Sequence, residues 1–346
     1  MKTLHLHASD PNDVTHAAEL LRSGHLVAFA TETVYGLGAN ALSKEAVAQI
    51  FAAKQRPAWD PLIVHIASVE QLSLITDIPA SLLSRISHLA SAFWPGPLTL
   101  LLPRSSAVPD AVTAGRDLVG VRIPAHPAAH TLLQAAGLPI AAPSANLFGH
   151  TSPTTAEHVL ADLDGRIEAV LDAGPASIGL ESTVLDPTQT PMLLYRPGAI
   201  TSAQLIAATG VEVQLYEPTL RTSTETQSLP SPGVGLRHYA PRANLLLIDP
   251  SSEPDLTHTL LYTSKLQLEA GHRVGLMLPD GWSVLPRTYL FPWGNWADPE
   301  VLARNLFTGL RDLDQRGVDI ILCPLPPPGG LYDAIRDRLR KAAMPA

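Results

Sequence analysis

Four cationic side chains stand where a charge is either costly or aimed. Lys54 and Arg56 close a helical stretch just before Pro57. Arg122 interrupts the apolar run Val119–Ile123, and Arg196 follows Leu193-Leu194-Tyr195. A charge within an apolar strand is expensive unless it meets a partner. Planar guanidinium groups match the oxygens of phosphates and carboxylates two at a time. The pattern fits a site that grips a polyanion beside a carboxylate. It also fits a favourable helix C-terminus for Lys54 and Arg56, with internal salt bridges for Arg122 and Arg196. Residue type alone leaves both readings open.

Three polar segments accompany these cations. Thr31-Glu32-Thr33-Val34-Tyr35-Gly36-Leu37-Gly38 follows a buried apolar run. Pro143-Ser144-Ala145-Asn146 leaves a short strand, and Glu181-Ser182-Thr183 enters another after Gly179. Ligands of α/β sheets bind outside strand ends, so the three segments are candidates to face one cavity. Hydroxyls and backbone amides there suit phosphates and an amino acid; each segment by itself also reads as an ordinary turn.

Other chemistries find no support. There is no G-x-x-x-x-G-K-[ST] loop, no complete dinucleotide fingerprint and no G-x-S-x-G elbow. His126 and His130 are four apart, but Pro127 and the missing Glu argue against a metal pair. No protein-held metal is therefore expected. The single Cys323 excludes an internal disulfide and reads as a small core residue in a reducing compartment.

The elements that must position these residues alternate. Helices are expected at 12–22, 44–54, within 69–93, at 128–136 and at 154–163. A further helix is opened by the capping pair Thr201 and Gln204. Strands are expected at 26–30, 61–66, 98–102, 118–123, 139–142, 168–172, 182–186 and 192–195, with 31–40 as a loop. Several connections are too short for crossover helices, which implies a mixed sheet. Residues 217–231 are polar and aperiodic and read as a linker. Beyond them, strands at 245–248, 273–278 and 318–322 alternate with helices at 258–270, 301–315 and 331–343, a small Rossmann-like α/β pattern. The expected division is a first domain at 1–210, a linker or lid at 211–241 and a second domain at 242–346.

Composition sets outer limits. The 346 residues are 46% hydrophobic and 16% charged, as in a packed globular chain. The net charge is −8, of which residues 1–240 carry −7, from 13 Lys and Arg against 20 Asp and Glu. A broad nucleic-acid face is not expected on such a surface. No run approaches 18 apolar residues, and the first residues lack a signal-peptide pattern, so a cytoplasmic protein without a membrane span is expected.

Taken in order, the pieces become specific. Thr31–Gly38 is followed by Lys54-Gln55-Arg56-Pro57, Pro61–His65, Phe93-Trp94-Pro95-Gly96-Pro97-Leu98-Thr99, Val121-Arg122-Ile123-Pro124, Ala142–Asn146, Glu181-Ser182-Thr183 and Arg196-Pro197-Gly198. This series closely resembles the YrdC-like threonylcarbamoyl-AMP synthase family, whose KxR…SxN signature falls on Lys54, Arg56, Ser144 and Asn146. Ser231-Pro232-Gly233 and His238-Tyr239-Ala240-Pro241 resemble the linker of its two-domain members. Two departures stand out. Asp60 occupies a position where Asn is common, and its charge opposes a nucleotide. Val234-Gly235-Leu236 replaces a more polar stretch.

The resemblance implies a fold and a reaction. The fold is a YrdC-like twisted mixed sheet with helices, joined to a Rossmann-like C-terminal domain. L-threonine, bicarbonate and ATP give threonylcarbamoyl-AMP and pyrophosphate, for a downstream transferase complex that modifies tRNA. Lys54 and Arg56 are the implied catalytic cations. Arg56, Asp60, Ser144, Asn146, Ser152 and Arg196 are the implied ATP site, and Thr33, His65, Arg122, Ala142 and Ser182 the implied threonine pocket. Pro232, His238 and Tyr239 are the implied lid. Mg²⁺ would ride on the phosphates, and no strong direct tRNA binding is expected. Two other readings are a carbamoyl-adenylate-forming enzyme on the same fold and a non-catalytic RNA-binding module. The first normally brings another catalytic domain, and the acidic first 240 residues oppose the second.

Overall fold

The computed structural model describes residues 2–217, 229–231, 238–249 and 256–344. The chain forms two compact units. The first comprises Met1–Phe148, Pro153–Ser177 and Glu181–Gly235; the second comprises Gly149–Ser152, Ile178–Leu180 and Leu236–Ala346.

In the first unit the strands are β1 (Leu4–His7), β2 (Val27–Phe29), β3 (Gly36–Asn40), β4 (Ile63–His65), β5 (Leu98–Pro103), β6 (Leu118–Arg122), β7 (Ile140–Ala141), β8 (Ala169–Asp172), β9 (Thr183–Asp186), β10 (Met192–Arg196) and β11 (Val213–Leu215). The helices are α1 (Pro11–Arg22), α2 (Lys44–Lys54), α3 (Ala80–Phe93), α4 (Asp110–Thr113), α5 (Pro127–Ala136), α6 (Ala156–Leu163) and α7 (Ser202–Thr209), with a 3-10 turn over Val69–Leu74. The strands join in one sheet, ordered β1-β8-β2-β3-β7-β4-β6-β5-β9-β10-β11. The sheet is mixed: β4–β6 and β5–β9 are parallel, whereas β3–β7, β4–β7 and β5–β6 are antiparallel.

Alternation along the strands fills both faces. Val27 and Phe29 of β2 join a cluster with α1 and α5, through Val14, Leu21, Leu132 and Leu133. Ala28 of the same strand joins the opposite cluster, with Val47 and Ile50 of α2 and Val159 of α6. A period of two therefore supplies two cores from one sheet.

Helix ends follow local chemistry. Asp10 accepts from the Asn12 amide at the start of α1, with Pro11 at the first helical position. Ser43 caps α2, and Thr201 with Gln204 makes the full capping box of α7.

The glycine-bearing stretch read as a loop over 31–40 is corrected: its second half is strand β3. Close packing explains the glycines. A Cβ on Gly38 would lie 2.9 Å from both Ile140 and Phe29, so the residue makes room for side chains of the two flanking strands, β7 and β2, where its type suggested a turn. Strands β1 and β11 and the short α4 also went unread. Each is brief and lies at an edge or in a connection, where the apolar period has no room to show.

The second unit is a parallel sheet ordered β12-β15-β13-β14, from β12 (Asn244–Ile248), β13 (Val274–Pro279), β14 (Tyr289–Gly294) and β15 (Ile320–Pro324). Its helices are α8 (Leu256–Glu269), α9 (Pro299–Gln315) and α10 (Leu331–Ala342). Strand β14 was missed because Pro292 and exposed flanks break its apolar run. Cys323 is fully buried in β15, and burial pushes its thiol well above the ordinary range. Among the described residues, no helix is long and apolar enough to cross a membrane.

Candidate active site

The two signature cations owe their placement to one backbone turn. Gln55 caps α2 in the left-handed conformation, φ 53°. Lys54 is the last helical residue, and Arg56 donates its amide back to Phe51 at 3.0 Å. Both side chains turn inward, 1% and 8% exposed. The Lys54 ammonium donates to the carbonyls of Ser144 at 2.6 Å and Asn146 at 2.5 Å. It thereby ties the KxR turn to the SxN loop. Charge-assisted bonds of this kind contribute about 1.5–3 kcal/mol each.

Arg56 is held by backbone. Its Nε donates to the Asp60 carbonyl at 3.1 Å and one terminal nitrogen to the Pro61 carbonyl at 2.8 Å. The same nitrogen meets the Asp60 carboxylate at 2.9 Å. Asp60 is 1% exposed, and burial raises its pKa against the pull of Arg56, Lys54 and Arg196. Those three cations thus share the surroundings of one carboxylate. Arg196 arrives at a register shift in the β9–β10 ladder. It donates from Nε to the Ser182 carbonyl at 2.9 Å and from a terminal nitrogen to the Ser182 hydroxyl at 3.1 Å. That hydroxyl also pairs with Thr99 at 2.8 Å.

A second group of buried polar side chains is built on β4 and β6. His65 and Arg122 are direct neighbours in that ladder. Arg122 donates from Nε to the Gly96 carbonyl at 3.1 Å and from one terminal nitrogen to the Thr33 hydroxyl at 2.8 Å. Its remaining terminal nitrogen lies 2.6 Å from Glu32. Burial works against the Glu32 carboxylate, but Arg122 and the Ala125 amide outweigh it and hold the group below the ordinary carboxylate range. His65 is buried. Burial and the Arg122 charge push its pKa down to about 3, so the ring is neutral at physiological pH. Its Nδ1 has no hydrogen-bond partner among the described residues.

The two halves share backbone. Gly36 bridges Ser144, and the Ala145 amide donates to the Tyr35 carbonyl at 2.8 Å. The loop that carries Glu32 and Thr33 therefore leads directly to the loop held by Lys54. Ala142 is buried beside it, its amide bonded to Ile63 at 2.8 Å.

Thr33, Lys54, Arg56, Asp60, His65, Arg122, Ala142, Ser144, Asn146, Ser182 and Arg196 thus all lie in the first unit. Ser152 belongs to a segment of the second unit, where it is buried and accepts from Arg311 at 3.4 Å. His238 and Tyr239 also belong to the second unit, with the Arg338 guanidinium 5.3 Å from the Tyr239 ring. Pro232 and the Val234–Leu236 departure lie outside the described residues. His126 and His130 are otherwise engaged. The first accepts the Ala128 amide at the start of α5, and the second meets Gln134 at 2.9 Å.

Sequence reasoning did not single out Glu32 or Thr99. The signal for Glu32 was available: a lone acid in an otherwise uncharged buried stretch needs a cation, and Arg122 was the cation in search of an acid.

Comparison with known proteins decides the family. A family model described as "Telomere recombination" matches residues 19–198, and one described as "Threonylcarbamoyl-AMP synthase, C-terminal domain" matches 200–344. The threonylcarbamoyl-AMP synthase of Pyrococcus abyssi is 44% identical over 94% of this chain and 93% of its own length. That of Bacillus subtilis is 43% identical over 98% and 94%. The chain belongs to the threonylcarbamoyl-AMP synthase family. A crystal structure of P. abyssi Sua5 complexed with L-threonine matches it with TM-score 0.89 at 40% identity, covering 99% of this chain and 98% of that one. Members of this family are enzymes, and the match extends through both units.

Proposed function

We propose that this synthase holds ATP on Lys54, Arg56, Ser144, Asn146, Ser152 and Arg196, and L-threonine on Thr33, His65, Arg122, Ala142 and Ser182. The reaction joins the threonine amine to bicarbonate-derived CO₂. A carbamate oxygen attacks the α-phosphate, the bond to the leaving pyrophosphate breaks, and threonylcarbamoyl-AMP remains. The observation that carries this reading is the gathering of Lys54, Arg56 and Arg196 around Asp60 within an acidic unit.

Carbamate is itself a nucleophile, so the protein needs no covalent group. Alignment and charge compensation supply the catalysis. Arg122 has five donors, of which three meet Gly96, Thr33 and Glu32. Two remain for the threonine carboxylate. Glu32, ionised beside it, is the acceptor for the substrate ammonium before carbamate forms. Neutral His65 adds a polar contact without a further charge. The Asp60 carboxylate is engaged by Arg56, so Mg²⁺ fits best on phosphate oxygens and water. There it would offset charge on the leaving pyrophosphate. The adenylate is labile, which suits hand-over to a transferase complex for tRNA modification in the cytoplasm.

The test is pyrophosphate release with each substrate omitted in turn. Release should require both threonine and bicarbonate. Lys54→Met keeps the volume of the buried stem but removes the ammonium, and should lower kcat/KM at least about a hundredfold. Release that persists without threonine would reject the reading, and unimpaired turnover in Lys54→Met would reject the assigned phosphate site.

A further inference from the structure

A second cluster of ligand-type side chains lies on the opening strand of the first unit. β1 is the edge of the eleven-stranded sheet and pairs in parallel with β8. His5 and His7 are two residues apart, so a strand's period puts both rings on one face. Their centroids are 4.9 Å apart. Register sets His7 directly opposite Asp172, the last residue of β8. One donor atom from each of His5, His7 and Asp172 lies within 4.8 Å of the others. The His5 Nε2 already stands 3.0 Å from Asp172 Oδ2.

The carboxylate is oriented as a ligand would be. Asp172 Oδ1 accepts from the Tyr35 hydroxyl at 3.1 Å and from the Gly174 amide at 2.9 Å. Its Oδ2 is left toward the two rings. Such outer partners fix a metal-binding carboxylate and keep it ionised. Two donors on one tetrahedral Zn²⁺ are separated by about 3.3 Å, close to the His5–Asp172 spacing. His7 is exposed, so its ring is free to close the third side.

We propose that His5, His7 and Asp172 form a binding site for one divalent transition-metal ion of the Zn²⁺ class, with water in the remaining positions. Two imidazoles and one carboxylate are a borderline donor set, suited to zinc and its neighbours and poorly suited to Mg²⁺. The site is separate from the nucleotide and threonine residues and needs no substrate.

The test uses tag-free, chelator-washed full-length protein, titrated with Zn²⁺ by calorimetry and with Co²⁺ by visible absorption. One saturable equivalent is expected, with Co²⁺ bands that report nitrogen ligation. His7→Ala and His5→Gln should each weaken binding at least about tenfold. His5→Gln retains a donor toward Asp172, so loss of affinity there does not reduce to a damaged strand edge. Both variants should release pyrophosphate at the wild-type rate in buffer that holds Mg²⁺ but no transition metal, which shows that they fold. Absence of saturable binding, or equal affinity in wild type and both variants, would overturn the site and leave the cluster as a surface hydrogen bond.

Discussion

At the scale of single residues, the site is a set of buried charges balanced against one another. Asp60 is the clearest case. It lies against Arg56, and under the proposed function a triphosphate competes with it for that guanidinium. Removing the charge should not release Arg56, because the Asp60 and Pro61 carbonyls still hold it. Asp60→Asn should therefore lower the KM for ATP by roughly three- to tenfold, about 0.7–1.4 kcal/mol of binding. Initial-rate kinetics at saturating threonine would measure this, and a raised KM would show that the carboxylate assists the nucleotide. His65 gives a pH dependence of definite sign. Its folded-state pKa is about 3, below the ordinary value of 6.5. The unfolded chain therefore takes up a proton first as pH falls, and folding stability is lost from about pH 6.5 downward. At pH 5 the loss from this one group is about 2 kcal/mol. His65→Gln should flatten that part of the curve. Urea unfolding of both proteins at pH 7.5 and pH 5 checks it, and parallel losses in the two would remove His65 as the cause.

At the scale of elements, positioning depends on close backbone contacts that residue patterns show poorly. A Cβ on Gly198 would lie 2.5 Å from the Thr183 amide nitrogen and 2.9 Å from the Ser182 carbonyl carbon. Ser182 is the residue that Arg196 grips. Gly198→Ala should thus displace β9 and loosen Arg196, costing about 1–3 kcal/mol of stability. It should also reduce kcat/KM more than the destabilisation alone explains. Thermal melting beside steady-state kinetics separates the two effects, and wild-type kinetics in a destabilised variant would show that Arg196 is anchored otherwise. The same contacts explain what was legible. Helices α2, α5 and α9 were read almost to the residue because their apolar period is long and their caps are explicit. Strands β4, β5, β6 and β9 were visible as apolar runs. β3 was hidden by Gly36 and Gly38, whose role is tertiary. The cations of the site could be seen because charge is rare among buried strands, whereas the partners of those cations could not. Glu32 for Arg122, and the Ser144 and Asn146 carbonyls for Lys54, are matches across the fold, and two of these partners are backbone atoms that carry no sequence signal.

At the scale of the whole molecule, the two units are not two consecutive lengths of chain. Gly149–Ser152 and Ile178–Leu180 come from the first half of the sequence but are counted within the second unit. Arg311 of α9 bonds the carbonyls of Thr151 and Ser152. Gly179, at φ +78°, lies so near the α9 backbone that a Cβ would come within 2.6 Å of Arg304. A protein ended after residue 235 therefore leaves both segments without their packing partners, and Ser152 is among the proposed nucleotide residues. Such a truncation should still fold around its large sheet, but melt roughly 5–10 °C lower and lose most threonine-dependent pyrophosphate release. Unchanged melting and turnover would mean that the second unit is dispensable for both. The lone thiol has a consequence of another kind. Cys323 sits at the centre of the C-terminal sheet, fully covered and held in its unreactive, protonated form. An alkylating reagent can reach it only when that sheet parts. The pace of its modification would therefore serve as a clock for opening of the second unit alone, already present in the natural chain and readable on intact protein by mass.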